Sequence, residues 1–175
     1  MKKTILTAFT AASLLIYSTP SFAALFSVSA GVPFSHSFAD TKVESDGVSG
    51  LFLAAKLPIM VGVGIDMYDT KLKDSTKKLR TAMYDIFYQL PIPIVNLTIG
   101  LGMGSTELQC VGCKIYDKGS AAQWYTSVGI PFLPFFDAHL SLRRVSSKIK
   151  TNAASGGTEY DLGGTVAGIG IAFGF

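Results

Sequence analysis

Val95-Asn96-Leu97-Thr98-Ile99-Gly100-Leu101-Gly102-Met103-Gly104 has a strict period of two. Val95, Leu97, Ile99, Leu101 and Met103 fall on one face; Asn96, Thr98, Gly100, Gly102 and Gly104 fall on the other. Successive side chains of a strand point to opposite faces, so the stretch predicts a β-strand with one wholly apolar side. The alternation recurs over residues 26–35, 50–57, 61–68, 81–90, 122–130, 136–143 and 167–175, which makes eight expected strands. In each, one face is apolar and the other carries small or polar residues.

The connections sort into two kinds. Leu57–Met60, Leu90–Pro93 and Ile130–Phe135 are short, uncharged and contain proline, which stops pairing and forces a turn. Ser35–Gly47, Asp69–Lys78, Ser105–Gly119 and Val145–Thr158 are longer and polar. Short and long alternate, as in an up-and-down barrel with tight turns at one end and loops at the other.

Composition decides which face looks out. Hydrophobic residues make up 49% of the 175 and charged residues only 15%, which excludes a disordered chain. Eight outer faces of mostly Gly, Ser and Thr would solvate a globule poorly, so the apolar faces are expected to meet lipid. A closed barrel then satisfies every strand-edge N–H and C=O. The formal charge of +3 falls to +1 without Lys2 and Lys3, so no nucleic-acid partner is expected.

Those two lysines open a tripartite leader. A basic start is followed by an uncharged apolar run to Ile16, a Pro20 break, and small residues at Ser21 and Ala23. Residues 1–23 are expected to be a cleaved signal peptide and residues 24–175 the barrel domain.

By alternation Lys56, Asp66, Asp85, Asp137, His139 and Arg143 point into the lumen, and buried charges must pair, so a filled, ion-paired interior is expected. Phe52, Tyr68, Met83, Phe87 and Tyr125 share that interior, with Gly-rich faces making room for them. Tyr84, Tyr88, Trp124, Phe132, Phe136, Phe173 and Phe175 read as interfacial aromatic anchors. His36, placed in a polar loop, carries no assigned chemistry. Cys110 and Cys113 fit a local disulfide in an oxidising compartment better than a redox or zinc site. No metal or cofactor is expected.

With the leader, the eight alternating segments and the ending Ile169-Gly170-Ile171-Ala172-Phe173-Gly174-Phe175, the chain resembles the small eight-stranded outer-membrane barrels of Gram-negative bacteria. That group holds the OmpA transmembrane domain and the OmpX-like proteins; an uncharacterised proteobacterial barrel family is also similar. The resemblance implies an all-β, eight-stranded antiparallel up-and-down transmembrane barrel, non-catalytic, with a structural role or one of surface interaction through four external loops. It implies a monomer that meets outer-membrane lipid and lipopolysaccharide, the latter through the basic stretch Thr70–Arg80 and Arg144, Lys148 and Lys150. Ile169, Ile171, Phe173 and Phe175 resemble the signal read by the outer-membrane assembly machinery. Two other readings stand beside this one. His139 and Ser141 resemble the His-x-Ser of outer-membrane lipid A deacylases, with Glu159 as an orienting acid, although Leu142 stands where that pattern has Asn. A narrow channel or small-ligand carrier is the third.

Overall fold

The computed structural model describes residues 26–73, 76–90, 92, 95–109, 118–150 and 159–175; the expected leader and the pair Cys110 and Cys113 lie outside them. Among the described residues the chain forms β1 (Ser27–Phe38), β2 (Ser45–Lys56), β3 (Val61–Leu72), β4 (Lys78–Leu90), β5 (Asn96–Gln109), β6 (Gly119–Leu133), β7 (Phe136–Lys150), β8 (Glu159–Asp161) and β9 (Gly164–Gly174). Each neighbour is antiparallel, and β9 pairs with β1, so the sheet closes into a barrel. β8 and β9 are two pieces of the last stave, both paired with β7 and separated at Leu162 and Gly163. The architecture is therefore an eight-stranded up-and-down barrel.

The outer wall is apolar over a band. On β5, Ile99, Leu101 and Met103 point outward at 50%, 61% and 74% exposure. Val61, Val63, Ile65 and Met67 do so on β3, and Ala138, Leu140 and Leu142 on β7. No water-soluble fold leaves so much contiguous apolar surface uncovered.

The strands run further than the alternating segments indicate. Towards the long-loop end β3 continues through Asp69 and Lys71, β4 begins at Lys78, and β7 carries on through Lys148 to Lys150. Polarity inverts in these extensions. Outward positions become Asp69, Lys71, Lys78, Arg80 and Arg144, while Phe38, Leu79, Ile149 and Leu162 pack together inside. Charge on the outside and grease within is the arrangement water imposes, so the extensions rise past the apolar band into solvent. Stretches expected as polar loops are strands for that reason.

At the short-turn end, the six-residue connection expected at Ile130–Phe135 shrinks to two. β6 runs to Leu133 with an irregularity between Pro131 and Leu133, leaving only Pro134 and Phe135 to turn. Phe135 has φ 75°, the left-handed value of a type II turn with proline before it. Its carbonyl accepts from Gly174 N at 2.8 Å, which ties the turn to the chain end.

One seam of the wall is only half formed. β1 pairs with β2 from Ser27↔Lys56 to Gly31↔Phe52 and no further. Yet β1 stays paired with β9 up to Phe38, and β2 with β3 back to Ser45. Phe26 and Phe175 exchange both backbone hydrogen bonds, so even-numbered N–H groups of β1 face β9 and odd-numbered ones face β2. The next donor due to β2 after Gly31 belongs to residue 33, which is proline and has none. A bulge follows between Pro33 and Ser35. Beyond it the seam is held by side chains: the Ser45 hydroxyl donates to the His36 carbonyl at 2.5 Å, and His36 reaches across to Thr70 of β3 at 2.7 Å.

Two outcomes test this wall. Leu101→Arg is expected to lower unfolding stability by about 2–4 kcal/mol in urea titrations of the refolded barrel, as a charge on a lipid-facing position costs. Hydrogen exchange in micelles is expected to be faster at the β1-facing amides of residues 45–51 than at the β3-facing ones, since only the latter are laddered.

Candidate functional site

The chemistry-bearing side chains converge in the lumen, held there by strand parity. Arg143 of β7 grips Asp66 of β3 in a fork, Nε to Oδ2 at 2.6 Å and Nη2 to Oδ1 at 3.3 Å. Both residues are buried, at 6% and 2% exposure. The guanidinium lies over the Phe52 ring at 3.7 Å and the Tyr125 ring at 4.8 Å, and also donates to Ser141 Oγ. Gln123 Nε2 donates to Asp66 Oδ2 at 2.8 Å and to Asp85 Oδ1 at 2.6 Å, bringing the second carboxyl into the same cluster. The layer spans the lumen from β3 and β4 to β6 and β7.

Glycine makes that layer possible. A Cβ at Gly102 would sit 1.8 Å from Asp85 Oδ1, and one at Gly100 2.2 Å from the Tyr125 ring. Likewise a Cβ at Gly168 would meet Phe52 at 2.4 Å. The Gly face of β5 is thus the space that the large inward residues of β4 and β6 occupy.

A second polar layer lies nearer the short turns. Gln89 Nε2 donates to Asn96 Oδ1 at 2.7 Å, and Asn96 Nδ2 donates to Asp137 Oδ2 at 2.6 Å. Lys56, buried, interacts with the Asp137 charge through space. His139 packs its ring against Gly31 and Gly170. Of the six residues expected to form one lumen network, Asp66, Asp85 and Arg143 share the central cluster. Asp137 and Lys56 belong to the lower layer, and His139 has no hydrogen bond to any of the other five among the described residues.

Charge counting overlooks Gln123 and Asn96, the neutral amides that join the carboxyls, although both lie on inward parity. It also misplaces His36. The bulge after Pro33 flips the phase of β1, so His36 and Phe38 turn inward. His36 is 4% exposed, with Nδ1 2.7 Å from Thr70 Oγ1 and its ring 4.4 Å from that of Phe38. Alternation alone would set His36 on the face of the exposed Phe34, so the one mark in the sequence is Pro33, where the register shifts.

The residues of the hydrolase reading do not assemble. The Ser141 hydroxyl is held by Arg143 and donates to the Gly168 carbonyl at 3.3 Å. Among the described residues no hydrogen bond joins it to His139. Glu159 stands on the outer surface, paired with Lys148 at 2.8 Å and Lys150 at 3.5 Å.

On the outer wall, Ile169, Ile171, Phe173 and Phe175 are all exposed along the last stave. Phe132, Phe136, Phe173, Phe175 and Phe26 form a continuous aromatic line at the short-turn rim, with successive ring centroids 5.0–6.4 Å apart. Tyr84 departs from the rim reading: its cross-strand partners are Ile65 and Met103, in the middle of the band. At the loop end Lys73 bonds Glu44 at 2.5 Å, and that bond holds the Glu44 carboxyl below its ordinary value. Arg80 is paired with Asp69.

No family model matches the chain, and no curated protein matches it in sequence. Solved structures do. Neisserial surface protein A superimposes with a TM-score of 0.62 at 15% identity, over 86% of this chain and 97% of that one. The N-terminal barrel domain of Pseudomonas aeruginosa OprF follows at 0.55 and 15%, over 85% and 97%. OprG from the same organism gives 0.52 and 14%, over 86% and 95%. The fold is that of the small outer-membrane β-barrels. An outer-membrane barrel carries its apolar residues outside, and the band of Leu101 and its neighbours is that wall.

Arg143→Met is expected to cost about 3–5 kcal/mol, because it strands Asp66 as an uncompensated buried charge. The double change Arg143→Met/Asp66→Leu is expected to recover most of that loss in the same urea titration. Gly102→Ala is expected to destabilise by about 1–3 kcal/mol, since the Asp85 carboxyl must leave the place where it accepts from Gln123.

Proposed function

We propose that the protein is an integral outer-membrane barrel without catalytic activity, whose role is structural or one of surface interaction through its external loops. The observation that carries this reading is the central lumen layer. Asp66, Asp85, Gln123 and Arg143 fill the cross-section with paired groups, and an eight-stranded barrel has little interior to spare beyond its side chains. A filled lumen favours neither an axial pore nor a reaction chamber. Export through the leader, insertion through the exposed signal at Ile169, Ile171, Phe173 and Phe175, and a monomeric state complete the proposal.

The external partner chemistry follows from charge. Lys71 and Lys78 face each other across the β3–β4 ladder, both outward and exposed, just past the apolar band. Like charges directly opposite are unfavourable unless an anion lies between them. Lipopolysaccharide phosphates at that height supply one, which supports lipopolysaccharide as the lipid partner.

Trp124 is the single tryptophan and points outward at 56% exposure, so it reports on the surroundings of the wall. Brominated acyl chains are expected to quench its fluorescence in vesicles, while planar bilayers show no reproducible conductance steps. Unquenched Trp124 overturns the membrane placement, and regular steps overturn the filled lumen. Loss of an acyl chain from lipid A that disappears with Ser141→Ala would restore the hydrolase reading.

A further inference from the structure

The half-formed β1–β2 seam places two chemistries on either side of a weak wall. Its outer flank is apolar: Val32, Phe34, Leu51 and Leu53 are exposed at the upper part of the lipid-facing band. Ser49, Gly50 and Leu51 are exposed in succession along this edge of β2. Behind the seam lie His36 and Tyr68, at 4% and 2% exposure, with ring centroids 6.1 Å apart. His36 Nε2 has no partner within hydrogen-bonding geometry, and the Tyr68 hydroxyl, beside Thr81 across the ladder, has no closed hydrogen bond. Buried polar groups left so are uncommon and point to a missing ligand.

The hydrogen-bond roles define that ligand. When the Thr70 hydroxyl donates to His36 Nδ1, Nε2 carries the ring proton and becomes a donor. The Tyr68 hydroxyl is a second donor. In that tautomer the two donors suit an acceptor-rich head, and a carboxylate accepts from both. Elsewhere a barrel wall opens only by breaking a ladder. Here, among the described residues, opening the outer half breaks two side-chain bonds in place of a ladder, Ser45 to the His36 carbonyl and His36 to Thr70.

We propose that the outer half of the β1–β2 seam is a lateral port that admits a single-chain amphiphile with a carboxylate head, a fatty acid in class, from the outer leaflet. The head reaches His36 and Tyr68, and the chain stays among Val32, Phe34 and Leu51. The Asp66–Arg143 layer closes the barrel axis below, so the port serves capture or exchange at the outer surface rather than passage across the membrane. The inference rests on the lipid-facing wall and goes beyond the structural role proposed above.

Native mass spectrometry of the detergent-solubilised barrel with oleate, and with methyl oleate as the headless comparison, tests it. Wild type is expected to retain one oleate and no methyl ester, and Tyr68→Phe and His36→Phe each to weaken retention by about tenfold, the loss of one such hydrogen bond. Val32→Cys/Leu51→Cys, in a Cys110→Ser/Cys113→Ser background, bridges the next rung of the seam. Its oxidised form is expected to take up no oleate and its reduced form to take it up as wild type does, so the reduced form is its own control for folding. Equal uptake by both forms, equal retention of the methyl ester, or a barrel that dimerises through the seam without binding oleate overturns the proposal. Quenching of Trp124 by brominated lipid, measured on the same samples, reports separately whether the wall faces lipid at all.

Discussion

A wall that faces hydrocarbon leaves polar side chains one direction in which to turn, and at the middle of that interior Arg143 closes on Asp66. Taking both charges out of water is costly, and the fork alone does not offset it. What does is the company around them: two aromatic faces above and below the guanidinium, the Ser141 hydroxyl, and an amide that binds both carboxyls. Together the members come from five staves. The cluster therefore works only when β2, β3, β4, β6 and β7 stand in one register, and a slip of one residue in any of them would point that strand's members at the lipid.

The same chain obeys opposite solvent rules at two heights. Within the band, apolar residues look out and charged ones look in. Above it, Leu79 and Ile149 fill the interior while Lys78 and Arg80 face outward. No helix or loop marks the boundary. The strands cross it without interruption, and only the identity of the alternating residues changes, which fixes how deeply the barrel sits.

How much of this was legible in the sequence depends on where one solvent acts alone. The β5 stretch was plain because Leu, Ile and Met alternate with Gly under lipid on one side and packed rings on the other. The extensions of β3, β4 and β7 were not, because a strand with Lys and Arg outside reads locally as a solvated loop. His36 was hidden by an inserted residue that reverses parity, a change with no compositional mark apart from Pro33 before it. The lumen charges were legible as a set, since parity placed all six inward. Their division into two layers was not, because Gln123 and Asn96, which decide who meets whom, are neutral and drew no attention in a count of charges. The faces of small residues on β5 and β9 were informative in the way expected, as clearance for Tyr125, Phe52 and Asp85.

The pairing of Phe26 with Phe175, with hydrogen bonds running both ways, carries a consequence for how the molecule is made. The first and last staves are direct neighbours, so the ring has no closure until the last stave has been added. Every shorter chain is a curved ribbon with two sticky margins, in a setting where such margins find either a chaperone or one another. Completion and stability thus coincide at the last stave, which becomes the natural checkpoint for whatever receives the barrel.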